Sequence, residues 1–173
     1  MFLDLCHNTA LVAPSILGNP ELKVDSITSG LSSPTSMAFI DDRNILVLEK
    51  SGQVRLILNS VLEDKPVLEV PVDITSEHGL LGIAIMNEGG SNGNNNDTST
   101  ANISGPASGK TRSVFLYYTE SKGDELLGNR VYKYEWNGQN LINPKLILDL
   151  PALDGPNHDG GKLTIGPDIT SML

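Results

Sequence analysis

The chain has 173 residues, 12 of them basic and 21 acidic, for a net charge of −9. Such a field repels phosphate backbones and anionic lipid, which argues against nucleic acid as a partner. The lone cysteine, Cys6, excludes an intramolecular disulfide or a thiolate metal cluster, and no apolar run approaches the ~20 residues of a membrane span.

The first 29 residues, beginning MFLDLCHNTALVAPSILGNP, are mildly apolar but lack the basic start of a secretory signal. They read either as the remnant of such a signal or as a first strand. From residue 30 onward strand signals recur, and no segment sustains helical apolar spacing. Ser36–Ile40 is followed by the polar turn Asp41–Asn44, then Ile45–Glu49, the turn Ser51-Gly52, and Gln53–Leu58. Short apolar runs separated by Asp, Asn and Gly describe an antiparallel meander. A second set follows the same pattern: Leu80–Met86, Ser113–Thr119, Arg130–Trp136 before the turn Asn137-Gly138, and Lys145–Leu150. Tyr132, Tyr134 and Trp136 alternate along one of these strands and read as packing residues. Residues 89–110 (GGSNGNNNDTSTANISGPASGK) have almost no apolar content, so they read as a disordered insertion within residues 30–173. The sequons at Asn96 and Asn102 are too common by chance to decide export.

Three short pieces hold equivalent places in successive units: Ala38–Asp42, Ile83–Asn87 and Thr164–Asp168. Phe39 and Ala84 lie 45 residues apart, and Ala84 and Ile165 lie 59 apart once the 22-residue insertion is removed. Repeats of ~40–50 residues with several strands each are the period of propeller blades, although spacing alone leaves a plain β-sandwich open.

Three stretches carry more information than spacing. They are Leu31-Ser-Ser-Pro34-Thr-Ser-Met37-Ala-Phe39 with Glu49-Lys50-Ser-Gly52-Gln-Val-Arg55; Glu77-His78-Gly79-Leu80-Leu81-Gly82-Ile83-Ala84; and Asn157-His158-Asp159-Gly160-Gly161-Lys162-Leu163-Thr164-Ile165-Gly166-Pro167-Asp168. In this order the chain resembles the glucose/sorbosone dehydrogenase family, soluble quinoproteins that use pyrroloquinoline quinone (PQQ) and Ca²⁺. The resemblance runs from about Gly30 to Asp168, apart from the insertion. It implies an all-β, six-bladed β-propeller fold, here about two blades plus the start of a third. It implies oxidation of the C1-hydroxyl of an aldose sugar to a lactone, with electrons leaving to an external acceptor.

His158 matches the family's general base. An imidazole with an ordinary pKa of about 6.5 is neutral enough at pH 7 to take the hydroxyl proton. Asn157 and Glu77 match positions near the cofactor. His78 reads as structural or exposed. No metal ligand is assigned: the family's calcium ligands, cofactor-clamping arginines and lysine lie beyond the matched region. Asp154, Asn157 and Asp159 fail the EF-hand pattern, which needs an acidic ligand where Gly155 stands and a distal Glu that is missing from this sequence.

Six blades need roughly 300 residues. The expectation is therefore a truncated chain, inactive alone and prone to associate through exposed blade edges. The family's usual setting implies an extracellular, cell-surface or periplasmic location. A non-catalytic propeller that binds a protein or glycan is the alternative reading.

Overall fold

The computed structural model describes residues 24–87, 112–152 and 160–166. The expectations for residues 1–23, for the insertion at 89–110, and for Asn157 and His158 lie outside the described residues. What is described is all-β, with antiparallel sheets and no helix among the described residues.

The first sheet contains β1 (Pro34–Phe39), β2 (Asn44–Glu49), β3 (Gln53–Leu58), β4 (Val61–Leu62) and β5 (Leu68–Glu69), in the order β1-β2-β3-β4. Strand β3 is shared: its end at Ile57 and Leu58 pairs with β4, and its start at Gln53 and Val54 pairs with β5. The second sheet contains β6 (Leu80–Asn87), β7 (Arg112–Lys122), β8 (Glu125–Trp136) and β9 (Leu141–Leu150), in simple up-and-down order.

The period-2 pattern decides which side chains go inward. In the first sheet Ala38 opposes Leu46, Leu46 opposes Leu56, and Leu48 opposes Val54. These residues share one face and join one apolar cluster with Leu80, Ile83, Val114, Leu116, Tyr118 and Tyr134 of the second sheet. The core is therefore a sheet-on-sheet interface, and each fully buried leucine contributes about 1.5–3 kcal/mol. Tyr132 and Trp136 pack against the same cluster, as their alternation predicts. Tyr118 stacks on Tyr132 with ring centroids 5.4 Å apart and planes inclined by 10°, an offset arrangement favoured by the ring quadrupoles.

The end of the second sheet is tied across three strands. Arg130 on β8 meets Glu120 of β7 at 2.7 Å and Asp149 of β9 at 2.9 Å. The Tyr132 hydroxyl donates to the same Glu120 oxygen at 2.8 Å. The two carboxylates hold the Arg130 guanidinium proton more tightly than usual, while burial and the bond to Glu120 raise the Tyr132 phenol.

Strands β7 and β8 extend well past the expected segments. They continue to a two-residue hairpin, Gly123-Asp124, where Lys122 pairs with Glu125. The polar run Ser121–Glu125 hides them because this end of the ribbon has no apolar alternation, although Gly-Asp is a recognised hairpin signal. Strands β4 and β5, at two residues each, are too short to leave any periodic trace.

Candidate functional site

The three motifs converge at one end of the two-sheet stack. The first enters at Ser32–Thr35. Glu49, buried at the end of β2, accepts the Ser32 N–H at 2.5 Å and lies 3.6 Å from Arg55. The Thr35 hydroxyl donates to the Leu80 carbonyl at 2.6 Å, and the Leu80 N–H donates to the Lys50 carbonyl at 3.1 Å. The turn after β2 is thus stitched to the start of β6, joining the first motif to the second.

The segment before β6 lies along the end of β7. Asp73 N–H donates to the Thr119 carbonyl at 3.1 Å, and Thr119 N–H donates to the Gly79 carbonyl at 3.1 Å. Between these anchors, Thr75–His78 forms a tight turn closed by the His78 N–H on the Thr75 carbonyl at 3.0 Å. The Lys50 ammonium donates to the Ser76 carbonyl at 2.6 Å. Gly79 has φ 144°, and a Cβ there would collide with Lys50, so this close approach of two loops requires glycine.

His78 is only 4% exposed, and its Nδ1 lies 2.7 Å from Asp73 Oδ1. Of the two readings offered by the sequence, the structural one holds. Burial works to raise the Asp73 carboxyl, but hydrogen bonds from His78 and from the Thr75 N–H and hydroxyl outweigh it and hold the group below its usual range. No short motif connects Asp73 and His78 in the sequence. Their pairing comes from the tight turn and becomes visible only once the turn is built. Glu77 sits at the exposed crest of that turn.

The third motif is described from Gly160 onward. Gly161 packs its backbone on Leu81 and Gly82: a Cβ on Gly82 would overlap the Gly161 carbonyl, and a Cβ on Gly161 would strike the Leu81 side chain. Two backbones in van der Waals contact leave no room for a side chain at either glycine. Gly82 lies five residues after Glu77, and Gly161 lies three after His158. Asn157 and His158 themselves lie outside the described residues. Among the described residues no group of three or more His, Cys, Asp or Glu side chains could hold a metal ion. One groove of about 430 Å³ lies away from this edge, lined by Ile27, Phe39, Ile45 and Ile57 with Asp42, Arg43, Asn59 and Ser60.

The described residues thus form an all-β arrangement of two antiparallel sheets joined along a loop-bearing edge, and solved structures of glucose dehydrogenase type share it. A crystal structure from Thermus thermophilus, provisionally described as an oxidoreductase (glucose dehydrogenase), superposes with a TM-score of 0.61 and 26% identity, covering 84% of this chain and 38% of that one. A second solved structure, a glucose dehydrogenase, has a TM-score of 0.57 and 24% identity over 82% of this chain and 37% of that one, a likeness of fold. In sequence, the uncharacterized protein slr1608 of Synechocystis sp. is 26% identical over 165 residues, 89% of this chain and 35% of the relative. No family model matches. The chain thus spans between 35% and 38% of the length of these proteins. The structural neighbours bear out the resemblance that the motifs carry to glucose/sorbosone dehydrogenases.

Proposed function

We propose that this chain is part of a PQQ-dependent sugar dehydrogenase that oxidises an aldose at C1, and that its two sheets are consecutive blades of a six-bladed propeller. The observation that supports this most directly is the contact of Gly161 with Leu81 and Gly82. It brings the described flank of the motif containing His158 against the motif containing Glu77, as a shared cleft between the two requires.

In this reading His158 takes the proton from the sugar C1-hydroxyl. Proton removal has to keep step with departure of the C1 hydride, so the imidazole must lie within ~3 Å of that hydroxyl. Bound PQQ, with Ca²⁺ polarising it, would supply the acceptor for the hydride and pass the electrons to an external acceptor. Asn157 and Glu77 would hold the ligand by hydrogen bonds from one side. Of the glycines in these motifs, Gly160 has open space where a Cβ would stand and would let a flat ligand come close to the backbone. The described residues amount to one wall of such a cleft. Among the described residues no group of three or more His, Cys, Asp or Glu side chains could hold Ca²⁺, and the remaining wall and the metal site would come from further blades of the complete protein. The family's usual setting supports an exported location for that protein.

The test is to extend the reading frame beyond Leu173, reconstitute the product with PQQ and Ca²⁺, and measure dye reduction with a panel of aldoses. We expect sugar-dependent turnover that falls at least a hundredfold in His158→Ala while PQQ uptake, followed by its absorbance, is retained. Unchanged turnover in that variant removes His158 from the mechanism. An extended protein that takes up no PQQ favours a non-catalytic propeller binding a protein or glycan.

A further inference from the structure

Among the described residues Ser33, Asn59, Ser60, Ser76 and Asn143 hold a left-handed backbone without being glycine. Three of them have a local reason. Asn59 and Ser60 are the two-residue turn between β3 and β4, a hairpin geometry that needs positive φ at both positions. Asn143 falls where the pairing of β8 with β9 slips, between Ile142 and Lys145. Ser33, at φ 47°, precedes β1 and belongs to neither kind of feature. Ser76, at φ 52°, is the second residue of the Thr75–His78 turn, a position where positive φ calls for glycine. A Cβ disfavours this conformation, and it persists only where surrounding contacts over-determine it.

One residue holds both serines. Lys50, just past β2, donates its N–H to the Ser33 carbonyl at 3.1 Å and its ammonium to the Ser76 carbonyl at 2.6 Å. Its own carbonyl accepts the Leu80 N–H, and its stem occupies the space that a Cβ on Gly79 would need. The bond to Ser76 is charge-assisted, which places it among the stronger kind. With the backbone bonded on both sides and the stem packed along Gly79, the side chain has little freedom left to lose in making it.

Glu77 follows Ser76 at the exposed crest of the turn, and the buried His78 after it is bonded to Asp73. The crest is thus fixed at His78, while at Ser76 its carbonyl direction depends on Lys50. Release of that carbonyl frees the Ser76–Glu77 peptide to rotate and lets Ser76 relax toward the right-handed region, which re-aims Glu77.

We propose that Lys50 is a positioning residue: its ammonium, clamped on the Ser76 carbonyl, holds the turn in the strained conformation that presents Glu77 to the cleft. What Glu77 meets there rests on the dehydrogenase reading, whereas the clamp rests on geometry alone.

The extended protein serves for both parts of the test. Digestion with a protease specific for glutamyl bonds, with mass spectrometry of the products, follows opening at Glu77, and cleavage at the exposed Glu125 of the β7–β8 hairpin is the internal control. Cleavage at Glu77 relative to Glu125 is expected to rise at least about fivefold in Lys50→Met and to stay near the wild type in Lys50→Arg. In steady state, Lys50→Met should raise about fivefold whichever constant Glu77→Ala raises, KM for the aldose or the PQQ concentration for half-maximal uptake, with kcat changed by less than about twofold. Lys50→Arg should restore that constant, and Lys50→Met should add nothing in a Glu77→Ala background. Lys50→Gln answers the same questions if Lys50→Met fails to fold. Unchanged cleavage at Glu77 overturns the clamp. A penalty of equal size with and without Glu77 makes Lys50 a structural residue and overturns the positioning role, as does a Glu77→Ala variant in which neither constant moves. A wild type that neither takes up PQQ nor turns over sugar overturns the dehydrogenase reading instead, and the proteolysis then decides the clamp.

Discussion

The Asp73 carboxylate accepts hydrogen bonds from the buried His78 ring and from the Thr75 N–H at 2.8 Å. Because these partners exist only in the folded turn, the folded pKa lies below the unfolded value of about 3.9. A group whose folded pKa is depressed stabilises the fold above the unfolded pKa, and that contribution is lost as pH falls through the folded one. Asp73→Asn should therefore cost about 1 kcal/mol at pH 7, the scale of one hydrogen bond. The deficit should shrink as pH drops below about 4, where the wild-type carboxyl is itself protonated. Urea unfolding of both proteins from strongly acidic to neutral pH reads this directly, and a deficit independent of pH would mean that the charge plays no part. Residues of this kind are poorly legible in a sequence. Glu77, His158 and Asn157 stand out through motif resemblance, and Lys50 lies within the first motif, but nothing in the sequence marks Lys50, Asp73 and Thr119 as the residues that build the turn under Glu77. Their roles rest on backbone carbonyls brought together from three parts of the chain.

At the scale of elements, β9 poses the sharpest question. It is the last strand of its sheet, ten residues long, and Leu146, Ile147, Leu148 and Leu150 are all exposed on it. A long apolar edge invites pairing with another chain. Three features oppose that outcome here. Pro144 removes a donor, Lys145 places a charge on the edge, and the register with β8 slips twice, between Val131 and Tyr132 and again between Lys133 and Glu135. Replacing Pro144 and Lys145 together by valine should expose the edge. We expect faster thioflavin-positive aggregation than for the wild type, and equal rates would show that these residues do not guard it. Most strands are legible from alternation and turn chemistry, including β2, β3 and β6. The ends of β7 and β8 are not, because a ribbon that projects beyond the core gains nothing from apolar alternation.

On the scale of the whole molecule, one apolar cluster draws on both sheets. Removing a side chain from either sheet therefore loosens the same interface. Leu48→Ala and Leu116→Ala, both fully buried in the wild type, should each cost about 2–5 kcal/mol. Both should lower the midpoint of one and the same unfolding transition. Calorimetry that resolved two transitions, with each substitution moving only one, would make the sheets independent units. That the sheets come as successive copies of one pattern is readable in the spacing from Phe39 to Ala84. That they bury one another is not, since alternation gives each strand an inward face without naming what lies opposite.

The first sheet pairs all its strands by Glu69, yet the partner for its inner face is not complete until β9 delivers Leu141. At ~5–20 residues added per second, a ribosome would need roughly 4–14 s to synthesise the intervening stretch. Throughout that interval Leu46, Leu48 and Val54 face water on a nascent polypeptide. A chaperone that recognises extended aliphatic segments has its opening then, before the second sheet closes over them.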